Sequence, residues 1–370
     1  MNRDEVVSVE EKNTGEDKQI TKVIKIDRER FSVADVEEAA QLLRDGRLVA
    51  FPTETVYGLG ANALDETAAK RIYAAKGRPS DNPLIVHIAE MEALSVLSAE
   101  VPKTAVKLGE AFWPGPLTMI LKKSRMVPDG TTGGLGTVAV RLPSDPIARE
   151  LIRLSGVYVA APSANASGRP STTTAQHVYE DLNGRIDMIL DGGPVTIGLE
   201  STIIDLTGEV PMILRPGYIT KEQLEAVIGP VEYDKAVIAK QMQENVVAKA
   251  PGMKYRHYAP KGELTIYEGT QEAVVAAINA EIAMRLSEGM VVGVLATDET
   301  AADYVGGTVY SIGSRKDEES IAAHLYRILR EFDEIGADYI YSESFDDNPL
   351  SSAIMNRLRK AAGYRTITIK

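Results

Sequence analysis

The spacing of apolar and polar positions divides the chain into four segments of different character. Residues 1–22 are polar and lack apolar periodicity, which predicts a flexible tail. Residues 23–229 combine short apolar runs with helical patterns and many turns, whereas residues 230–262 form a linker without clear periodicity. Residues 263–370 read as regularly alternating strands and helices. This alternation predicts a small α/β domain with a mainly parallel sheet.

The most informative stretch is residues 49–87, where an apolar strand leads into a polar turn, a helix, a basic turn and a second strand. Asp65 is a good N-cap for this helix, and Gly77 stands where a left-handed residue usually ends one. Lys76 and Arg78 flank that glycine. Two cations on a stiff turn, facing a hydroxyl- and glycine-rich strand end, suit an anionic small molecule.

Each of these features also has a purely structural interpretation. A lysine in the last helical turn, such as Lys76, is more often a solvated partner of the helix dipole. A histidine inside an apolar strand, such as His87, is more often a core residue than a ligand. The local pattern therefore leaves both interpretations open, and distant segments decide between them.

Composition narrows the class of protein without identifying it. The chain has 370 residues, of which 44% are hydrophobic and 25% charged, as in ordinary soluble proteins of two or three domains. Its net charge of −12 argues against general attraction to nucleic acid or membranes. Without cysteine, disulfides and thiolate metal sites are excluded. The N-terminus resembles no signal peptide, and no apolar window is long enough to span a membrane, so we expect a cytoplasmic protein.

The common nucleotide-binding and hydrolase motifs are missing from the sequence. There is no Walker A motif, and Gly58-Leu59-Gly60 lacks the third glycine of a dinucleotide fingerprint. There is no G-x-S-x-G nucleophile elbow either. With four histidines and no cysteine, we expect no permanent transition-metal site.

A series of ordered motifs resembles the YrdC/Sua5 family. The pairs Lys76-x-Arg78 and Ser163-x-Asn165 match the signature of that family. The surrounding motifs are PTETVYGLG at 52–60, KGRPSDNPLIVHI at 76–88, FWPGPLT at 112–118, TVAVRLP at 137–143, APSANASG at 161–168, GLEST at 198–202 and ILRPG at 213–217. The linker motif PGMKYRHYAP at 251–260 and the trailing α/β domain resemble the long Sua5 form. The resemblance covers about residues 23 to 370.

This resemblance implies a fold and an activity. The implied fold is α/β: a YrdC-like twisted open mixed sheet with a deep concave cavity over residues 23–229, and a smaller Rossmann-like α/β/α Sua5 domain over residues 263–370. The implied activity is that of a threonylcarbamoyl-AMP synthase, a nucleotidyltransferase that joins L-threonine, bicarbonate (or CO2) and ATP and releases pyrophosphate. The product serves the t6A modification of tRNA position 37, which a downstream threonylcarbamoyl transferase complex completes.

The resemblance also implies roles for individual residues. The expected catalytic and phosphate-binding residues are Lys76, Arg78, Ser163 and Asn165. Further residues of the ATP site are Asn82, Thr137, Ser171, Arg215 and Tyr258. The expected threonine-binding residues are Thr55, His87, Arg141, Ala161 and Ser201, among which the arginine can pair with the threonine carboxylate. Mg²⁺ is expected with ATP, bound mostly by phosphate oxygens and water, so no protein ligand is assigned.

Other interpretations remain open at this point. The linker is a candidate lid over the cavity, or else a structural tether. The alternative is an RNA-binding YrdC-type module without catalysis; the acidity of the chain argues against tight general RNA affinity and leaves a weak tRNA contact open. A carbamoyl-transfer domain of hydrogenase maturation proteins would bring cysteine-rich zinc motifs, which this chain lacks. A sensor built on the C-terminal domain leaves the polar residues of the first domain unexplained.

Overall fold

The fold is built on two sheets that follow each other along the chain. The computed structural model describes residues 20–238, 249–251, 257–345 and 350–369. Within these residues, the first sheet has eleven strands and the second has five. Most of the predicted tail lies outside the described residues. Its predicted end at residue 22 overlaps the first strand by one residue, because that strand begins at Lys22.

The first sheet is mixed, with parallel and antiparallel neighbours. Its strands are β1 (Lys22–Lys25), β2 (Val49–Phe51), β3 (Gly58–Asn62), β4 (Ile85–His87), β5 (Leu117–Lys122), β6 (Thr137–Arg141), β7 (Val159–Ala160), β8 (Met188–Asp191), β9 (Thr202–Asp205), β10 (Met212–Arg215) and β11 (Glu232–Tyr233). They pair in the order β1-β8-β2-β3-β7-β4-β6-β5-β9-β10-β11. The helices are α1 (Val33–Arg44), α2 (Glu66–Lys76), α3 (Leu94–Leu97), α4 (Lys103–Phe112), α5 (Asp129–Thr132), α6 (Pro146–Ser155), α7 (Ala175–Leu182), α8 (Lys221–Ile228) and α9 (Lys235–Ile238).

The helix that leads into the basic turn is confirmed at both ends. The Asp65 side chain accepts the Thr67 backbone N–H at 2.8 Å, and this satisfies one of the free donors at the start of α2. Gly77 ends the helix in the left-handed region with φ 62°, a conformation that costs glycine little. Because the chain turns sharply there, Lys76 and Arg78 leave the helix end in a fixed geometry.

Strand β3 and helix α7 were not predicted. The glycine-rich stretch that was interpreted as a turn instead pairs antiparallel with β2 and β7. Glycine is required for packing at Gly60, since a Cβ would lie 2.7 Å from the Phe51 ring and 2.8 Å from the Val159 side chain. Such a strand carries few β-branched or aromatic residues, so its composition resembles that of a loop.

The second sheet confirms the predicted α/β domain. Its strands are β12 (Glu263–Glu268), β13 (Val292–Ala296), β14 (Thr308–Ser311), β15 (Tyr339–Glu343) and β16 (Thr366–Thr368). Its helices are α10 (Gln271–Ser287), α11 (Glu318–Glu334) and α12 (Ser351–Ala361). The strands pair in the order β14-β13-β15-β12-β16, and each pairing between these described strands is parallel. None of the helices in the described ranges has the length and apolarity needed to cross a membrane.

Helices α11 and α12 pack the second sheet against the first part of the chain. Arg330 of α11 forms an ion pair with Asp181 at 2.8 Å, and Arg357 of α12 forms one with Glu200 at 3.0 Å. Both arginine side chains are fully buried. An apolar cluster that includes Val56 accompanies these pairs. The contact between the two parts is therefore both apolar and ionic.

Candidate active site

A polar cavity of about 50 Å³ lies beside the ends of several strands of the first sheet, with the linker along one side. The predicted site residues that line it are Lys76, Arg78, His87, Arg141, Ala161, Ser163, Asn165, Ser201, Arg215 and Tyr258. The loop after β2, the turn after α2 and the loop after β7 all contribute to its wall. Residues that are far apart in the sequence thus meet around one small space.

Lys76 reaches the Ser163 loop from the end of α2. Its Nζ donates to the backbone oxygen of Ser163 at 2.5 Å and also to that of Asn165. The Ser163 hydroxyl donates to the Asn165 side-chain oxygen at 2.5 Å. Burial, with the nearby charge of Arg78, lowers the pKa of Lys76 well below its usual value. The ammonium group is thus bound by neutral carbonyls, and an anion would stabilise its charged form.

Arg78 is a second cation of the cavity, half-buried, and it donates to backbone oxygens. Its Nη2 donates to the backbone oxygen of Pro83 at 3.3 Å, and its Nε has no hydrogen-bond partner among the described residues. Burial lowers the pKa of Arg78 to about 10, so it stays charged at neutral pH. A half-buried guanidinium with an unused N–H is a ready donor to phosphate or carboxylate oxygens.

Arg141 organises a separate side of the cavity. Its Nη1 donates to the Thr55 hydroxyl at 2.9 Å, and its Nη2 lies 2.8 Å from the Glu54 carboxylate. His87 is the register partner of Arg141 on the neighbouring parallel strand. Burial and the charge of Arg141 lower the pKa of His87 to about 3, so the imidazole is neutral at physiological pH. This side therefore offers a guanidinium, a hydroxyl and an uncharged ring.

Arg215 and Glu200 form the wall opposite the lysine. The Arg215 guanidinium donates from Nε to the Ser201 backbone oxygen at 3.1 Å and from Nη2 to the Ser201 hydroxyl at 3.2 Å. Glu200 accepts the Ser171 hydroxyl at 2.6 Å. Burial alone would raise the pKa of Glu200, but the charges of Arg357 and Arg215 lower it to about 2. The carboxylate is therefore ionised at neutral pH.

The described part of the linker contacts the cavity through Pro251, His257 and Tyr258. Tyr258 has φ 66°, which is unusual for a residue with a side chain, and its ring lies 5.2 Å from that of Tyr326. Burial and the charge of Arg78 lower the pKa of His257 to about 3. Residues 252–256 of the predicted lid lie outside the described residues.

Four predicted site residues do not line this cavity. Thr55 accepts a hydrogen bond from Arg141, and Ser171 donates one to Glu200, so both contact residues that line the cavity. Asn82 is buried, and its side-chain amide has no hydrogen-bond partner among the described residues. Thr137 opens β6, at the end of that strand opposite Arg141.

Two titratable residues of the cavity were missed as site candidates. Glu200 and His257 both line the cavity. Both lie inside family motifs, Glu200 in GLEST and His257 in PGMKYRHYAP. Their position within these motifs could have identified them as site candidates.

Comparisons with known proteins identify the family of the chain. The family model described as "Telomere recombination", which covers Sua5, YciO and YrdC proteins, matches residues 41–217. The model of the threonylcarbamoyl-AMP synthase C-terminal domain matches residues 219–363. The threonylcarbamoyl-AMP synthase of Pyrococcus abyssi is 51% identical over 345 residues, covering 92% of this chain and 98% of its own. The Bacillus subtilis enzyme of the same name is 52% identical over 333 residues, covering 90% and 94%.

The structural comparison extends over both parts of the chain. The crystal structure of Pyrococcus abyssi Sua5 in complex with L-threonine superposes with a TM-score of 0.89. It shares 50% identity and covers 95% of this chain and 100% of its own.

Proposed function

The chain belongs to the YrdC/Sua5 family in its long, two-domain form, and from this premise we propose how its cavity makes threonylcarbamoyl-AMP. The overall reaction converts L-threonine, bicarbonate and ATP to L-threonylcarbamoyladenylate, pyrophosphate and water. The enzyme is a nucleotidyltransferase whose product serves t6A formation on tRNAs that read codons beginning with A. The residue roles below rest on the geometry of the cavity.

The observation that carries the proposal is the convergence of Lys76, Arg78 and Arg215 on one buried cavity. Lys76 and Arg78 donate to backbone oxygens. Arg215 donates to Ser201 and shares the ionised Glu200 with Arg357, so the positive charge of the three cations is only partly compensated. A triphosphate supplies the missing negative charge. We assign these three residues to the ATP phosphates, where they neutralise the charge that develops as pyrophosphate leaves.

The Arg141 side of the cavity suits the amino acid. A guanidinium binds a carboxylate through two parallel N–H bonds, and Arg141 has an Nε without a hydrogen-bond partner among the described residues. The Thr55 hydroxyl orients this guanidinium at 2.9 Å. We assign Arg141 to the threonine carboxylate, with His87, Ala161 and Ser201 as further parts of that pocket.

The chemistry requires no covalent bond to the protein. The threonine amine attacks the carbon of CO2 and loses a proton to solvent; with bicarbonate, the hydroxyl group leaves and takes up that proton as water. An oxygen of the resulting carbamate then attacks the α-phosphorus of ATP, and the bond to the pyrophosphate leaving group breaks. The residues hold the reactants in line and stabilise the phosphate charge. We assign Ser163 and Asn165, whose backbone oxygens bind Lys76, to the phosphate or ribose side of the nucleotide.

We place Mg²⁺ with the nucleotide. Within the described ranges, no group of three or more histidine, aspartate or glutamate side chains could hold a metal ion. The cavity carboxylate Glu200 already accepts hydrogen bonds from protein donors. The ion would therefore enter as MgATP, bound mostly by phosphate oxygens and water.

The size of the cavity supports a moving linker. Pockets for drug-sized ligands usually enclose roughly 300–1,000 Å³, whereas this cavity measures about 50 Å³. His257 and Tyr258 fill part of the remaining space. ATP would have to displace them on entry, and their return would exclude water from the labile carbamate. We therefore propose that the linker motif at 251–260 acts as a lid, on the evidence of its described residues Pro251, His257 and Tyr258.

The alternative of an RNA-binding module without catalysis is not favoured. Lys76 is 3% exposed and Arg215 is 4% exposed, whereas phosphate-backbone contacts require accessible cations. We propose that the product passes to a tRNA threonylcarbamoyl transferase complex in the cytoplasm, where ATP and tRNA are available. Direct contact with tRNA would be weak.

The test is pyrophosphate release from ATP by the purified chain, with and without L-threonine and bicarbonate. We expect release that requires both and falls at least about a hundredfold in Arg78→Ala. Arg125→Ala, which removes an exposed arginine outside the cavity, is the matched control and should behave as the unaltered enzyme. Threonine-independent release would point to a plain nucleotidase, and no release from folded, ATP-binding protein would refute the assignment.

A further inference from the structure

Two side chains of the second domain converge on one carboxylate in the wall of the cavity. The Tyr326 hydroxyl of α11 donates to Glu200, with both carboxylate oxygens at 2.9 Å. Arg357 of α12 donates from Nε to Glu200 Oε2 at 3.0 Å and from Nη2 to the Glu200 backbone oxygen at 3.2 Å. The second domain therefore fixes both the side chain and the backbone of this residue.

Glu200 in turn holds residues of the nucleotide side. It accepts the Ser171 hydroxyl at 2.6 Å. Its backbone is continuous with Ser201, which receives two hydrogen bonds from Arg215. Arg357 also donates to the backbone oxygen of Pro216, the residue after Arg215. The contacts thus run from α11 and α12 to the segments that carry the proposed phosphate-binding residues.

Burial strengthens the hydrogen bonds that Glu200 accepts from Tyr326 and Arg357. Tyr326 and Arg357 are both fully buried, and Glu200 is 6% exposed. In such surroundings a carboxylate without its donors would be costly, and charge-assisted hydrogen bonds to it are stronger than neutral ones. Removing one donor should therefore shift or reorient Glu200 instead of leaving it in place.

We propose that Tyr326 and Arg357 are positioning residues of the nucleotide site, acting through Glu200 on Ser171 and Arg215. The proposal rests on the synthase function assigned above and gives the second domain a part in catalysis. Neither residue lines the cavity, so neither is expected to touch a substrate. The Tyr326 hydroxyl is the sharper probe, because the ring itself also packs against Tyr258 of the lid.

The test compares hydroxyl removal at two buried tyrosines of the second domain. Tyr326→Phe keeps the ring contact with the lid and loses the hydrogen bonds of the hydroxyl to Glu200 and Tyr258. Tyr304→Phe loses an equivalent bond, from its hydroxyl to Glu343 at 2.8 Å, within the second domain. We expect Tyr326→Phe to raise the KM for ATP about three- to tenfold, with the KM for threonine changed less than about twofold. Tyr304→Phe should leave both values unchanged.

A second variant separates positioning from folding. Arg357→Lys keeps the charge but loses the paired donors, and it should also raise the KM for ATP, measured at a temperature at which circular dichroism shows a folded protein. Equal KM values for ATP in Tyr326→Phe, Tyr304→Phe and the unaltered enzyme would overturn the proposal. An equal rise in the KM for ATP and threonine would also overturn it, by indicating general loosening. If the unaltered chain releases no threonine-dependent pyrophosphate, the synthase assignment itself fails, and the positioning proposal fails with it.

Discussion

Each of the two domains buries a glutamate beside a strand end, and the two carboxylates differ in what surrounds them. Glu343 of the second domain accepts the Tyr304 hydroxyl at 2.8 Å and is paired with Arg315 and Thr300, all from its own domain. Glu200 takes its partners from both domains and faces the cavity. The role of Glu343, whose partners lie within its own domain, can be purely structural. The role of Glu200 also involves the cavity, because it lines that cavity and takes partners from both domains.

The balance of charge separates the two regions further. Around Glu343, one buried carboxylate faces one arginine, and the pair is nearly neutral. Around the cavity, Lys76 and Arg215 are buried and Arg78 is half-buried, and Glu200 is the one carboxylate among the described residues that line it. Burying an uncompensated charge is unfavourable unless an opposite charge, such as that of a ligand, pairs with it. This contrast indicates that the first domain is built around anionic ligands and that the second is built for its own stability and for support.

The largest effect that tests this contrast is expected at Lys76. Lys76→Met removes a proposed phosphate contact and should lower threonine-dependent pyrophosphate release at least about a hundredfold. The matched change in the second domain, Arg315→Met, should leave the rate within about twofold of the unaltered enzyme. Loss of activity in both variants, with both proteins folded, would contradict the division of roles.

The same lysine also predicts the sign of a pH effect on stability. Its pKa in the folded protein lies well below the value of 10.5 for an unfolded chain, so between these values the unfolded state binds more protons. The free energy of unfolding of the unaltered protein should therefore rise with pH across that window. Lys76→Met should flatten this rise, as measured by urea unfolding between pH 7 and 10.

Loss of the Glu343 carboxylate is expected to affect stability alone. Glu343→Gln removes the charge that faces Arg315 in a nearly fully buried position, and it should lower the free energy of unfolding by about 2–3 kcal/mol. The KM values for ATP and threonine should stay the same, because the cluster does not line the cavity. Urea unfolding and initial rates on the same preparation test both statements. A changed KM would show that the two regions are coupled.

The two regions also differ in how well the sequence predicts them. In the second domain, apolar runs and helical periods match the five strands and three helices closely, because a parallel sheet with covering helices gives regular alternation. In the first domain, β3 is made of small residues whose role depends on Phe51 and Val159 from other strands. Such a strand is recognised only once its neighbours are known.

The residues of the site were likewise only partly predictable from the sequence. Lys76 and Arg78 could be singled out from local turn chemistry, and the family motifs brought Ser163 and Arg141 into the same hypothesis. The support from Arg357 was not predictable, because nothing in the sequence near it indicates contact with a residue in the other domain. Long-range ion pairs of this kind depend on how two separately patterned domains pack.

His87 is expected to lower the free energy of unfolding in acid by an intermediate amount. Its pKa in the folded protein is about 3, against 6.5 in an unfolded chain, because burial and Arg141 disfavour the charged ring. The unfolded state therefore takes up a proton that the folded state excludes, and stability falls as pH drops from 6.5 towards 3. At pH 5 the loss relative to pH 7 is about 2 kcal/mol. His87→Gln should remove that part of the loss, as measured by urea unfolding at both pH values; an unchanged loss would place the acid sensitivity elsewhere.

The smallest effect is expected on the threonine side, where Thr55 orients Arg141 through one hydrogen bond of 2.9 Å. Thr55→Val keeps the shape of the side chain and loses the hydroxyl, so the KM for threonine should rise about five- to tenfold, corresponding to roughly 1 kcal/mol. The KM for ATP should stay unchanged, because Lys76 and Arg215 are not involved. Thr196→Val is the matched control, since its hydroxyl donates to a backbone oxygen, that of Glu54, at 3.2 Å. A rise in the KM for ATP in Thr55→Val would mean that the two sides of the cavity are not independent, and the assignment of Arg141 to threonine alone would then be wrong.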